Sequence, residues 1–401
     1  MEKINHQIGV GSVNLSNRAK RYVNEVLESN RLTYGQFSRK FEEGFAAAHS
    51  CKFGMLVNSG TSALQIAVAA LKEKHNWSDG DEVIVPALTF VASSNVITQN
   101  NLKSVFVDVD NQYYNIDPGK IEEAITEKTR AIMVVHLFGQ PADMKPVMEI
   151  AKKHGLCVIE DSCETNFASY MGKSVGSFGD VSCFSTYACH IICTGVGGLA
   201  LTNDGETAII LRSLSTHGRD SIYASIDDDK TDNEKKLGLI MESRFHFIRM
   251  GYSYRATEME AALGLAQLEE IAENIGKRRK NAQFLIKNLG RHGSMLQLPK
   301  IMPGTEHSFM MFPIVVTDKS IKRDDLTLFL EKNNIETRYM VPLTNQPYIR
   351  KLFGEDVEER FPVAKYINEN GFYIGCHPDL TQEELDYITM KFDEFFRTAK
   401  Q

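Results

Sequence analysis

Residues 181–203 read VSCFSTYACHIICTGVGGLALTN. An apolar, β-favouring run (181–185) enters a turn of small and polar residues. Gly195, Gly197 and Gly198 then bend the chain, and a second apolar run follows at 198–202. The pattern predicts a buried strand, a Gly-rich bend and a second strand, with His190 at the centre of the connection. No lysine occurs between Lys173 and Lys230, so this segment cannot present an amine.

Upstream the same punctuation repeats. Apolar runs at 54–57, 82–85, 104–108, 131–136 and 157–160 are separated by turns and by segments with helical spacing, such as 62–74 and 146–153. Two amphipathic helices are predicted ahead of them, over 16–30 and 36–48. Strands alternating with helices predict an α/β fold with a largely parallel sheet covered on both faces. Ligands in such sheets bind beyond the carboxyl ends of the strands. Downstream, residues 219–242 are polar and charge-rich and read as a surface excursion. Residues 258–289 have helical spacing and are expected to bridge to a second domain. That domain carries strand candidates at 310–316 and 335–338 and a terminal helix from 382. The expected division is 1–275 for a large domain and 276–401 for a small C-terminal one.

Composition narrows the partners. A chain of 401 residues with 43% hydrophobic and 24% charged residues has the make-up of a soluble globular protein. A net charge of −7 argues against nucleic acid or an anionic membrane surface as the main partner. The N-terminal residues lack the basic-then-apolar layout of a signal peptide, and no apolar run reaches membrane-spanning length. Seven cysteines, an odd number scattered along the chain, read as reduced thiols and point to the cytoplasm. Cys183, Cys189 and Cys193 cluster, but strand alternation turns them to different faces, so packed thiols are expected and no metal site.

Three motifs carry chemistry. Asn58-Ser59-Gly60-Thr61-Ser62 follows a strand and opens a helix. The backbone N–H groups of a helix start attract anions, although a plain capped helix reads the same way. Glu160-Asp161 ends a strand and is followed by Glu164; a surface carboxylate or a ligand-facing one fits equally. Phe90, in the segment PALTF, reads by itself as core packing.

Taken together, these residues resemble the DegT/DnrJ/EryC1/StrS sugar aminotransferases, whose segment FSF-x-A-x-K-x-x-T-T-G-E-G-G is matched by 184–198. The resemblance implies fold-type I, the architecture of pyridoxal 5'-phosphate-dependent transferases, with residues 1–275 binding the cofactor. It places Gly60, Thr61 and Ser185 at the cofactor phosphate and Phe90 on the ring face. It sets Asp161 against the pyridine nitrogen and Glu164 near the ring hydroxyl. It also implies a homodimer with active sites at the subunit interface, in which Ser253 reaches the partner's phosphate from a position where relatives carry Asn. Val196 departs likewise from the family's Glu.

His190 occupies the position of the family's lysine. That lysine holds the cofactor covalently and shuttles a proton at the adjacent carbon; imidazole can do only the second. The combination resembles the GDP-4-keto-6-deoxy-mannose 3-dehydratase branch, as do SLSTHGRD, RMGYSYRATEMEAALGLAQLE, IETRYMVP and NENGFYIGCH. The resemblance implies a pyridoxamine 5'-phosphate-dependent lyase in lipopolysaccharide deoxysugar biosynthesis. The cofactor amine meets the C4 ketone of a nucleotide-linked 4-keto-6-deoxy-hexose, His190 removes a proton beside it, and the C3 hydroxyl leaves. L-Glutamate then restores the amine. Glu336 is expected as a second active-site carboxylate, with Arg219 and Arg338 binding substrate. Competing readings are a sugar-nucleotide aminotransferase with its lysine replaced by histidine, and a non-catalytic sugar-nucleotide sensor. An iron–sulfur dehydrase fits poorly, because no cysteine lies between Cys193 and Cys376 to hold a cluster.

Overall fold

The computed structural model describes residues 4–220, 233–243, 245–341 and 343–398. The strands of the first half are β1 (Phe53–Val57), β2 (Glu82–Pro86), β3 (Lys103–Val107), β4 (Thr129–Val135), β5 (Cys157–Asp161), the short pair β6 (Ser169–Tyr170) and β7 (Lys173–Ser174), then β8 (Val181–Ser185) and β9 (Gly198–Thr202). Seven of them form one sheet in the order β1-β9-β8-β5-β4-β2-β3. Pairing is parallel from β3 through β8, whereas β9 runs antiparallel to both β8 and β1. The predicted sheet is therefore mixed at one edge. The reason is the Gly-rich bend after His190, which returns the chain beside β8 instead of sending it through a crossover helix.

The helices of this half are α1 (Asn17–Ser29), α2 (Gln36–Ala48), α3 (Gly60–Lys74), α4 (Val91–Gln99), α5 (Met144–His154) and α6 (Gly205–Ser215). Strands β2, β8 and β9 are buried along their whole length, as expected for a sheet covered on both faces. α3 is the most central helix: from Gly60 to Leu71 all but Thr61 and Ala69 are buried.

The charge-rich excursion falls partly outside the described residues, at 221–232; its later part is helical, α7 (Glu234–Ser243). The predicted long helix over 258–289 is two helices, α8 (Glu258–Leu268) and α9 (Ile271–Leu289). α9 contributes Ile275 to the core of the large sheet, and Ala282, Leu285 and Leu289 to a second core. That second core backs a four-stranded antiparallel sheet of β10 (Leu296–Gln297), β12 (Met311–Val316), β13 (Arg338–Tyr339) and β14 (Gly371–Gly375), ordered β10-β12-β14-β13. β11 (Thr305–Glu306) instead pairs with β6. The strand expected over 335–338 begins later, at Arg338. Ile335 forms a parallel bridge with Ile8 of the N-terminal arm, and the Glu336 amide donates to the Ile8 carbonyl at 2.9 Å.

Candidate active site

Seven residues singled out from the sequence (Gly60, Thr61, Phe90, Asp161, Glu164, Ser185 and His190) line one cavity of about 280 Å³ at the carboxyl ends of the central strands. α3 supplies its first turn. Ser59 has an extended backbone, and its hydroxyl accepts from the Ser62 amide at 3.0 Å. The amides of Gly60 and Thr61 lie in the turn that has no intrahelical acceptors and can serve an anion. Gly60 is required by space: a Cβ there would stand 2.8 Å from Ser185 Cβ and 2.9 Å from Cys163 Sγ.

Asp161 is only 4% exposed. One oxygen accepts from Ser93 Oγ at 2.7 Å and the other from the Cys163 amide at 3.2 Å. Burial raises its pKa, and these hydrogen bonds oppose the rise. No side-chain cation stands within ion-pair distance of it among the described residues. A buried carboxylate held by neutral donors, with its charge unanswered, fits a protonated pyridine nitrogen. The neighbouring Glu160 is different: it accepts from the amides of Gly176, Phe178 and Gly179, each at 2.7 Å, and from His136. Glu160 orders a loop, and Asp161 faces the cavity.

Phe90 is 58% exposed, which overturns core packing and leaves its ring free to cover a planar group. Glu164 accepts from the Phe138 amide at 3.1 Å. Its pKa rises to about 7, chiefly through burial and further through Asp161, against the Phe138 hydrogen bond. Cavity volume, anion-binding turn, aromatic face and the buried Asp161 carboxylate together fit pyridoxal or pyridoxamine phosphate.

No lysine lines this cavity among the described residues; His190 is one of its lining residues. The His190 Nδ1 lies 2.6 Å from the Cys163 carbonyl, which can only accept. Nδ1 therefore carries the hydrogen, and Nε2 is left with its lone pair. Burial lowers the His190 pKa to about 4 despite that bond, with Arg278 adding to the fall. The imidazole is thus neutral at pH 7 and ready to take a proton.

Four expected residues lie outside the cavity lining. Ser253 is exposed and accepts from Arg255 at 3.1 Å. Arg219 is buried with its guanidinium 5.7 Å from the Phe247 ring centre. Glu336 and Arg338 form an ion pair, and Glu336 also accepts from the Val10 amide at 2.7 Å. Ser93 and Cys163 were missed in the sequence. Ser93 follows Phe90 by one helical turn in a run of small polar residues, which is a weak signal. Cys163 acts through its backbone, which leaves no mark in a sequence. The departure at Val196 leaves the bend intact: Gly195 and Gly197 hold φ of 88° and 145°, and the Thr186 amide donates to the Gly197 carbonyl at 3.0 Å.

Known proteins resemble this chain along most of its length. The GDP-perosamine synthase of Escherichia coli O157:H7 is 35% identical over 390 residues, 97% of this chain and 98% of its own. The lipopolysaccharide biosynthesis protein RfbH of Salmonella typhimurium is 36% identical over 91% of this chain and 86% of its own. The structure of E. coli GDP-4-keto-6-deoxy-D-mannose-3-dehydratase with bound hydrated PLP superposes with a TM-score of 0.86 at 28% identity, covering 97% of this chain and all of that one. Residues 14–393 match the description of one family throughout, and the chain belongs to it: the DegT/DnrJ/EryC1/StrS aminotransferase family of pyridoxal-phosphate-dependent enzymes.

Proposed function

We propose that the protein removes the C3 hydroxyl of a nucleotide-linked 4-keto-6-deoxy-hexose, with pyridoxamine phosphate as cofactor and glutamate as amine donor. The observation that carries this reading is His190: a neutral imidazole with its Nδ1 hydrogen committed to the Cys163 carbonyl, in a cavity that no lysine lines among the described residues. When bound, pyridoxamine phosphate supplies an amine for the C4 ketone and a protonated ring as electron sink. The residues do the rest. Asp161 holds the ring proton, the first turn of α3 with Ser185 holds the phosphate, and Phe90 covers one face. Nε2 of His190 takes a proton beside the amine and delivers it to the departing C3 hydroxyl. With no lysine among the described lining residues to bind the cofactor covalently, the amine form is free to meet the sugar.

The names of the relatives support a GDP-linked substrate. Both the perosamine synthase and the 3-dehydratase carry that nucleotide in their names. The greater identity to the synthase favours a second reading, transfer of an amine to the C4 ketone; the absence of a lysine weighs against it. We also read the assembly as a homodimer. Exposed Phe90, Tyr187 and Val196 at the cavity leave an apolar rim for a second copy to cover, and Ser253 is exposed.

Incubation with pyridoxal phosphate, glutamate and GDP-4-keto-6-deoxy-mannose, followed by mass spectrometry, separates the readings. A sugar product one oxygen poorer, with ammonia released, is the expected result. An amino sugar would overturn the dehydratase reading in favour of transamination.

A further inference from the structure

We propose that Gln267 is a positioning residue for His190, a role that follows from reading His190 as the proton-moving base. The chain between β8 and β9 has no regular structure. Its neck is closed by Thr194, whose amide donates to the Thr186 carbonyl at 2.8 Å and whose hydroxyl lies 2.6 Å from that of Thr186. Beyond the neck, His190 is tied on its cavity side through Nδ1 to Cys163. On the opposite limb Ile191 and Ile192 are buried, and a single side chain takes both backbone polar groups of Cys193. Gln267 Oε1 accepts from the Cys193 amide at 2.9 Å, and Gln267 Nε2 donates to the Cys193 carbonyl at 2.6 Å. Nε2 also donates to the Leu263 carbonyl at 3.0 Å, one turn back on α8, which fixes which way the carboxamide faces.

The clamp therefore satisfies both polar groups of a residue three positions from His190 and ties them to a helix. A carboxamide is required, because it presents one donor and one acceptor side by side. In a lysine-bearing relative, the bond to the cofactor itself would tether this loop. With histidine that tether is gone, and the Cys163 carbonyl and Gln267 hold the loop from its two sides. A base displaced by about 1 Å loses on the order of a hundredfold in rate. Gln267 and His190 also line a second, polar cavity of about 190 Å³, in which Glu270, Glu273, Lys277, Arg278 and Asp379 are the charged neighbours.

The test compares Gln267→Leu and Gln267→Glu in the cofactor-loaded protein, reading kcat and KM for the sugar nucleotide. Alongside, the rate at which diethyl pyrocarbonate modifies His190 in the cofactor-free protein is followed by peptide mass. Gln267→Leu is expected to lose about a hundredfold in kcat with KM nearly unchanged, and to expose His190 to severalfold faster modification. Gln267→Glu is expected to match it near pH 8. Relative to wild type it should recover as pH falls toward 4, where the introduced carboxyl group, once protonated, again donates to the Cys193 carbonyl. Wild-type kcat and wild-type His190 reactivity in both variants would overturn the proposal. So would equal loss in both with no recovery in acid, since that is a plain folding defect. Failure of the base assignment shows separately, as turnover retained by His190→Asn.

Discussion

His190 and Glu164 sit in the same cavity, and burial acts on them in opposite senses. It drives the imidazole toward neutrality and the carboxyl toward its protonated form. His190 therefore stays unprotonated down to about pH 4, and Glu164 changes charge at about pH 7. Replacing His190 by Asn keeps a polar group of similar size but removes the nitrogen that takes a proton. Turnover is expected to fall by about 10²- to 10⁴-fold while pyridoxamine phosphate binding persists. Steady-state rates and a binding titration on the same preparation check this, and near-normal turnover would sink the base assignment. Above pH 7 Glu164 adds a negative charge beside Asp161, in a cavity that has to receive a phosphate. Affinity for pyridoxamine phosphate is expected to weaken as pH rises through about 7, and Glu164→Gln to flatten that limb. A limb of unchanged height in the variant would assign it elsewhere.

At the scale of elements, the N-terminal ends of two helices decide much of the site. α3 approaches β8 so closely that only glycine fits at Gly60. Gly60→Ala is expected to push the helix start away from Ser185 and to raise the Kd for pyridoxamine phosphate by about tenfold, some 1.4 kcal/mol. An unaltered Kd would mean that the phosphate is held elsewhere. α2 has no side-chain cap of its own. Glu258, the first residue of α8, serves instead: it accepts from the amides of Gly35, Phe37 and Ser38 at 2.6, 3.0 and 2.9 Å. Glu258→Ala strands those three donors and is expected to cost about 2–4 kcal/mol in denaturant unfolding, with Glu258→Gln intermediate. Equal stabilities would show that water replaces the carboxylate at no cost. These elements also mark what a sequence can disclose. β8 and β9 were legible to the residue because Gly195, Gly197 and Gly198 punctuate two apolar runs. The break between α8 and α9 was not, since Leu268 and Ile271 continue the apolar spacing across it without Gly or Pro. Gly60, Asp161, Ser185 and His190 stand in motifs that the sequence displays, and the fold brings them to one cavity. The Cys163 carbonyl, the cap from Glu258 and the pairing of Ile335 with Ile8 join segments far apart in the chain through backbone groups, which no local pattern records.

Across the whole molecule, folding keeps histidines neutral that an unfolded chain would protonate. His49 is fully buried among Phe45, Phe167 and Phe184, with ring centres 4.7, 4.8 and 4.4 Å away, and its Nδ1 donates to the Val175 carbonyl at 3.0 Å. Burial lowers its pKa to about 4. His307 is buried where its Nδ1 accepts from the Phe309 amide at 2.8 Å, and burial lowers its pKa to about 3. Unfolded, both take up a proton near pH 6.5, so the stability they confer is complete above 6.5 and drains as pH falls toward 4 and 3. Glu164 runs the other way. Its folded pKa of about 7 exceeds the unfolded value of 4.5, so its cost is largest above 7 and fades as pH falls to 4.5. His190, also lowered to about 4, behaves as His49 does. Between pH 6.5 and 4.5 each group changes the balance by about 2 kcal/mol, and three histidines outweigh one carboxyl. The cofactor-free protein is expected to lose about 4 kcal/mol from these groups over that interval, a large share of the 5–15 kcal/mol typical of a folded chain. His307→Asn keeps an acceptor close to the Nδ1 position and cannot titrate. It should remove about a third of the histidine contribution to the slope of unfolding free energy against pH. A slope identical to wild type would mean that His307 is already protonated in the folded chain, and that the acid sensitivity lies with His49 and His190.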